Sequence, residues 1–234
     1  MRSIEFNGQI IEYTLTRKKV KNINLRIKAN GEVCVSAPRS VPAGVIEDFV
    51  RRNAGRILAA GKRFAAAQKE MPKLEDGGFI YLSGRKYPLN VKHGERNHYV
   101  LNNSEITFYT SDLSDQAICR MLYDKLLYDM AKQTFERIAA ECLPLFPQKA
   151  LDPPLIRIRK MKSQWGNCRA AKNIVTLNSR LAAYDQSVIK FVICHEFCHF
   201  IHQDHSKAFY DSLSSVMPHW KEYDAVLKNK LIYC

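Results

Sequence analysis

Four of the chain's seven histidines, His195, His199, His202 and His205, fall within eleven residues. The stretch reads V-I-C-H-E-F-C-H-F-I-H-Q-D-H and contains the pattern H-E-x-x-H at His195, Glu196 and His199. On a helix, residues four apart lie about 40° apart around the axis and roughly 6 Å along it, so both imidazoles reach one cation. Glu196 is turned by about 100° from His195, which sets its carboxylate beside the pair. There it can contact a water on the cation without ligating the cation. Imidazoles that hold Zn²⁺ and a carboxylate that takes a proton from water are the parts of a metal-dependent hydrolase. A helix with surface histidines is the plain alternative. It conflicts with the apolar run at 188–194, which should be buried.

A third ligand is required. His202 lies about 10.5 Å along the axis from His195 if the helix continues, too far to close well around one ion. His205 can swing back if the helix ends near residues 202–204, where Asp204 and Ser206 are natural turn and cap residues. The expected set is one zinc per chain on His195, His199 and His205, with Glu196 as general base. His202 then sits behind the ligands or at the rim. Cys194 and Cys198, also four apart, read as small buried hydrophobes.

Other residues could shape a cleft. Trp165 is either a core plug or a wall beside the metal, with Gly166 permitting close backbone approach. Residues 173–178 alternate Ile174, Thr176 and Asn178 against Val175 and Leu177. If that strand edges its sheet, a peptide can add to it; the alternative is a paired interior strand. Tyr184, Tyr210 and His219 are candidate oxyanion donors. A peptide or protein substrate is the leading expectation. A second is hydrolysis of a nucleotide phosphoanhydride, with Arg157, Arg159, Lys160 and Lys162 holding phosphates, although strand alternation would divide them between two faces. A third is a nucleic-acid-binding module with a structural zinc, which would normally need four protein ligands.

The elements that position these residues follow from periodicity. Residues 2–37 read as strands, with a hairpin at Asn30-Gly31, and 43–69 is helical in period. Strands are expected at 79–82, 86–92 and 98–109. A long helix at 115–142 is capped by Ser114-Asp115. Strand-like segments at 155–162 and 173–178 flank the Trp165 loop, and helices follow at 187–203, 206–216 and 218–230. The change of character places a strand-rich basic domain at 1–110 and a hydrolase domain at 111–234.

The chain carries 36 Lys/Arg against 23 Asp/Glu, and residues 1–92 hold 18 against 8 of these. A basic N-terminal half suggests weak nucleic-acid or nucleotide binding; a solvated basic surface is the plain alternative. The 46% hydrophobic content excludes wholesale disorder. No apolar run is long enough to span a membrane and no secretory signal stands at the N-terminus, so a cytoplasmic location is expected. Seven widely spaced cysteines without C-x-x-C read as reduced thiols, with Cys234 an exposed terminal one.

K-S-Q-W-G-N-C at 162–168, N-I-V-T-L-N-S-R-L at 173–181, C-H-E-F-C-H at 194–199 and D-H-S-K-A-F-Y at 204–210 resemble the YgjP-like family. Its members are metal-dependent hydrolases related to SprT-like zincin metallopeptidases. N-G-E-V-C-V-S-A-P at 30–38 and L-S-G-R-K-Y-P-L at 82–89 extend the resemblance over nearly the whole chain. Gln164 and Asn167 stand where the family usually has Arg and Ser. The resemblance implies an α+β fold: a strand-rich N-terminal unit, then a zincin-like helical unit with a small sheet and an active-site helix. It also implies His195, His199 and His205 as zinc ligands, Glu196 as base, and a Trp165 loop near the site.

Overall fold

Alternating apolar residues along Gln9–Arg17 bury Ile11 and Tyr13 on one face, the period a half-buried strand requires. The computed structural model, which describes residues 1–28, 31–146 and 152–228, pairs this strand (β2) with β1, Arg2–Phe6. Their two-residue turn, Asn7-Gly8, has positive φ at both positions (50° and 73°), the backbone that favours Asn-Gly in hairpins. β3 (Asn24–Ile27) and β4 (Val33–Ala37) complete a sheet in the order β1-β2-β4-β3, with β2 and β4 parallel. Asn30 of the expected hairpin lies outside the described residues, as does Cys234. The helical stretch is two helices, α1 (Ala43–Arg52) and α2 (Ala54–Lys69). The break falls at Asn53, whose side chain donates back to the Phe49 carbonyl at 2.8 Å. Ile46, Val50, Ala54 and Ile57 close a small core over the sheet. This compact unit ends at Met71.

A second compact unit begins at Pro72. β5 (Gly78–Leu82), β6 (Arg85–His93), β7 (His98–Leu101) and β8 (Ile106–Thr110) form a sheet in the order β5-β6-β8-β7. Ile80, Leu82, Leu89, Ile106 and Phe108 from this sheet share one core with α3 (Gln116–Cys142) and the elements after it. The units therefore divide at 71/72, whereas composition placed the change at 110/111. The strands of 78–110 are basic like those before them, but their apolar face packs with the C-terminal elements. Asp115 caps α3, accepting from the Ala117 N–H at 2.8 Å.

β9 (Leu155–Arg159), β10 (Gly166–Arg169) and β11 (Ile174–Asn178) make a small sheet in the order β10-β11-β9. β11 is the middle strand, antiparallel to β10 and parallel to β9. Of the two readings of 173–178, the paired interior strand is the one observed, and β10 and β9 are the edges of this sheet. α4 (Gln186–Cys198) starts at Asp185, which accepts from the Ser187 N–H at 2.8 Å. α5 (Lys207–Val216) and α6 (Trp220–Lys228) follow. The β5–β6 turn, Ser83-Gly84, reaches the chain just before α4. Its two N–H groups donate to the carbonyls of Ala182 (2.8 Å) and Ala183 (2.9 Å), and a Cβ on Gly84 would meet Asp185 Cα at 2.9 Å. The architecture is mixed α+β, strand-rich at the N-terminus and helical toward the C-terminus. Among the described residues no helix is long and apolar enough to cross a membrane.

Candidate metal centre

α4 is apolar nearly all round and is buried accordingly: Val188, Ile189, Phe191, Val192, Ile193, Phe197 and both its cysteines are inside. Beyond its first turn the polar residues of α4 are Lys190, His195 and Glu196. The helix ends sooner than its periodicity suggests. After Cys198 the bonds tighten, with Phe200 and Ile201 N–H groups donating to carbonyls three residues back. The chain then reverses, and Asp204 Oδ1 accepts from the Ser206 N–H at 3.3 Å. This early stop returns His205 to α4.

The ligand nitrogens of His195, His199 and His205 all lie within 4.8 Å of one another. His195 Nε2 and His205 Nε2 are 3.1 Å apart. Zn–N bonds of 2.0–2.1 Å in a tetrahedron put neighbouring nitrogens about 3.3 Å apart, so the donors fit a zinc ion. Burial, reinforced by His199 and His205, pushes the His195 pKa down to about 4; burial also lowers that of His199. The His195 and His199 rings are thus neutral near pH 7, as metal ligands must be. His199 Nδ1 donates to the His202 carbonyl at 3.1 Å, which leaves the Nε2 lone pair for a cation. The His202 ring turns away, with Nε2 2.9 Å from Ser212 Oγ. Among the described residues no fourth His, Cys, Asp or Glu joins this cluster, so a coordination position stays open. Burial raises the thiol pKa of Cys198 to about 12, and the contact with Cys142, with burial, raises that of Cys194; both stay protonated thiols, and neither joins the histidine cluster.

Phe209 is a residue that spacing did not reveal. It is fully buried, and its ring centroid is 4.9, 4.7 and 4.8 Å from those of His195, His199 and His205. It forms the floor on which the three imidazoles rest. Its only trace in sequence is its position in D-H-S-K-A-F-Y.

Glu196 is 5% exposed. It accepts from the Cys168 N–H, and burial pushes its pKa up to about 8. A Cβ on Gly166 would lie 2.4 Å from Glu196 Oε1, so the carboxylate rests against a backbone that only glycine supplies. A cleft of about 810 Å³ runs along β10 past His195, Glu196, His199 and His205. A smaller cavity of about 320 Å³ adjoins it, walled by Trp165, Phe191, Val192 and Leu227, with the Asp224–Lys228 ion pair (2.5 Å) at its margin.

Trp165 is both wall and packing. It lines the smaller cavity and meets the Tyr184 ring edge-on at 5.3 Å. Tyr184 is 1% exposed behind it, away from both cavities. Ile174 and Thr176 lie on the middle strand and line neither cavity. His219 points outward and pairs with Glu222 at 3.3 Å. Tyr210 lies near the metal site: its ring is 6.2 Å from that of His205 and stacks on Trp220 at 5.1 Å. Arg157 and Arg159 project together from β9, outside the cleft, and Lys160 pairs with Asp124. None of Arg157, Arg159, Lys160 and Lys162 lines the cleft that contains the histidines. In the first unit Arg51 pairs with Asp48 and Arg17 bonds the carbonyls of Pro38 and Val41. These contacts lend no support to nucleic-acid binding.

A family model described as YgjP-like, metallopeptidase domain, matches residues 21–230. No curated protein matches the chain. Among solved structures, the metallopeptidase zymogen of Pyrococcus abyssi abylysin is 20% identical with a TM-score of 0.38, covering 42% of this chain and 95% of that one. The metallopeptidase zymogen of Methanocaldococcus jannaschii jannalysin is 22% identical with a TM-score of 0.37, covering 42% and 97%.

Proposed function

The chain belongs to the YgjP-like metallopeptidase family, and we propose that it is a zinc-dependent peptidase in which Glu196 is the general base. The observation that carries this reading is the convergence of three imidazoles beside a buried carboxylate, at the wall of an open cleft. His195, His199 and His205 would hold the metal. A bound zinc ion would supply positive charge that acidifies a water, polarises a peptide carbonyl and favours the ionised form of Glu196. The Cys168 N–H and the Gly166 backbone fix the Glu196 carboxylate, which takes the proton from the attacking water and delivers it to the leaving amine.

The substrate pairs with β10 rather than β11. Asn178 N–H donates to the Trp165 carbonyl, which sets the hydrogen-bonded alternation between the two strands. The Gly166 backbone polar groups and the Cys168 carbonyl therefore face the free edge, where the Cys168 N–H is already taken by Glu196. An extended peptide laid there runs past Glu196. Tyr210 is the oxyanion donor on this reading, since its ring is 6.2 Å from that of His205 while Tyr184 is buried behind Trp165 and His219 pairs with Glu222.

Purified zinc-loaded protein is incubated with a protein substrate, a peptide library and a nucleotide panel. Peptide-bond cleavage is expected, and Glu196→Gln should abolish it while retaining zinc. Phosphate release without peptide cleavage would overturn the assignment.

A further inference from the structure

Between Asp152 and Asp185 the chain has no carboxylate side chain, yet Arg157, Arg159, Lys160, Lys162, Arg169 and Lys172 all fall there. Strand register gathers several of them on one face. Arg157 pairs with Thr176, which pairs with Asn167; Leu155 pairs with Ile174, which pairs with Arg169. These rows share the outer face of the sheet, because Ile156, Ile158, Val175, Leu177 and Cys168 face the core. Arg157, Arg159, Arg169 and Lys172 are all exposed, and none has a carboxylate partner among the described residues. Arg169 and Lys172 also line the cleft, where the one carboxylate is the buried Glu196.

We propose that this face selects acidic polypeptide: an extended substrate on the free edge of β10 presents acidic side chains to Arg169 and Lys172. The proposal rests on the peptidase reading and names its substrate class. Side chains of an added strand alternate, so those that share the outer face stand directly beside Asn167 and Arg169, about 5 Å away between Cβ atoms. The other set points to the core side, toward the metal centre. An opposite-charge pair across strands contributes up to about fivefold in affinity at each such position. Arg157 and Arg159, two strands beyond β10 and so about 14 Å from an added strand, lie nearly two screening lengths away at physiological salt and within one at low salt. They steer an acidic chain toward the edge rather than bind it, an effect that salt removes.

The test uses full-length protein and fluorescent peptides that share one apolar core and differ only in acidic, neutral or basic flanks. Binding is followed by anisotropy on Glu196→Gln protein, and cleavage on the active enzyme. The acidic peptide should bind about fivefold or more tighter than the basic one at low salt. The preference should shrink at high salt, and Arg169→Glu with Lys172→Glu should invert it. Arg169→Gln with Lys172→Gln should bring the two peptides together. Equal binding of acidic and basic peptides by protein that still cleaves a neutral one overturns this proposal and leaves the peptidase assignment standing. Selective acidic binding with no cleavage of any peptide does the reverse. A single-stranded oligothymidylate that displaces the acidic peptide and binds more tightly would make the face a nucleic-acid surface, which also overturns it.

Discussion

Gly166→Ala isolates the role of Glu196 without touching any metal ligand. Gly166 does not occupy the left-handed region, so alanine adds no backbone strain there. The whole perturbation is steric. The new Cβ would stand 2.4 Å from Glu196 Oε1 and 2.7 Å from both Cδ and Cγ, against a floor of 3.0 Å for real contacts. The carboxylate or strand β10 must therefore give by at least about 0.6 Å at the closest atom. Glu196 lines the cleft, so the clash is relieved by moving its carboxylate, and the overpacking should cost toward the low end of about 1–3 kcal/mol. For a domain of this size that is about 2–4 °C of Tm per kcal/mol. Misplacing a reacting group by about 1 Å costs on the order of 10²-fold in rate, and losing a general base altogether costs about 10²–10⁴. Turnover of a peptide substrate by Gly166→Ala should fall into that range while zinc content stays at the wild-type level. Adding Glu196→Ala removes the clashing atoms, so the stability cost of Gly166→Ala should be smaller in that background, with a coupling of about 0.5–3 kcal/mol. Near-wild-type turnover of Gly166→Ala, or additive stability effects in the double variant, would refute the contact as the determinant of the base's position.

Metal analysis should show His205→Ala losing zinc and His202→Ala retaining most of it, because His202 acts through a backbone carbonyl that alanine preserves; the opposite order would unseat the ligand assignment. Tyr210→Phe should lower kcat by about 10²-fold with little change in KM, the scale of one oxyanion donor, and an unchanged kcat would remove Tyr210 from the chemistry. Metal-free protein should lose stability as pH rises from 6.5 to 8 in urea titrations. Glu196 holds its proton to about 8 in the fold but only to its ordinary 4.5 when unfolded, so the folded state binds more protons in that window. The slope is at most about 1.4 kcal/mol per pH unit. Below 6.5 the slope is opposed by His195, which the unfolded chain protonates and the fold keeps neutral. Glu196→Gln should flatten the fall, and a fall that persists would mean another group causes it.

The histidine cluster is legible in the sequence because its parts are local: His195, Glu196 and His199 are set by helical spacing alone, and the Asp204-Ser206 turn marks the reversal to His205. The strand order of the small sheet was not legible. Whether β11 is central or an edge depends on β9 and β10 pairing across the loop, and alternation along 173–178 is the same in both cases. Gly166 was read as permitting close approach, but the partner it permits, Glu196, is thirty residues on. Phe209 looks like any core aromatic until the three imidazoles are seen resting on it. The boundary of the compact units was missed because charge changes near 92–114 while the apolar face of residues 78–110 joins the later core.

The Ser83-Gly84 turn carries a practical consequence for anyone inserting a tag or choosing new termini. Tips of two-residue hairpins are ordinarily the safest places to open a chain. This one is fastened by two backbone bonds to Ala182 and Ala183 and packs on Asp185, the residue that starts α4. An insertion between positions 83 and 84 would free the beginning of that helix about 15 Å from His195. The β6–β7 connection at 94–97 is the better site for a fusion or a permutation: it belongs to the same sheet, but its bonds at Gly94 and Asn97 run to Thr110 and Ser111, not to α4.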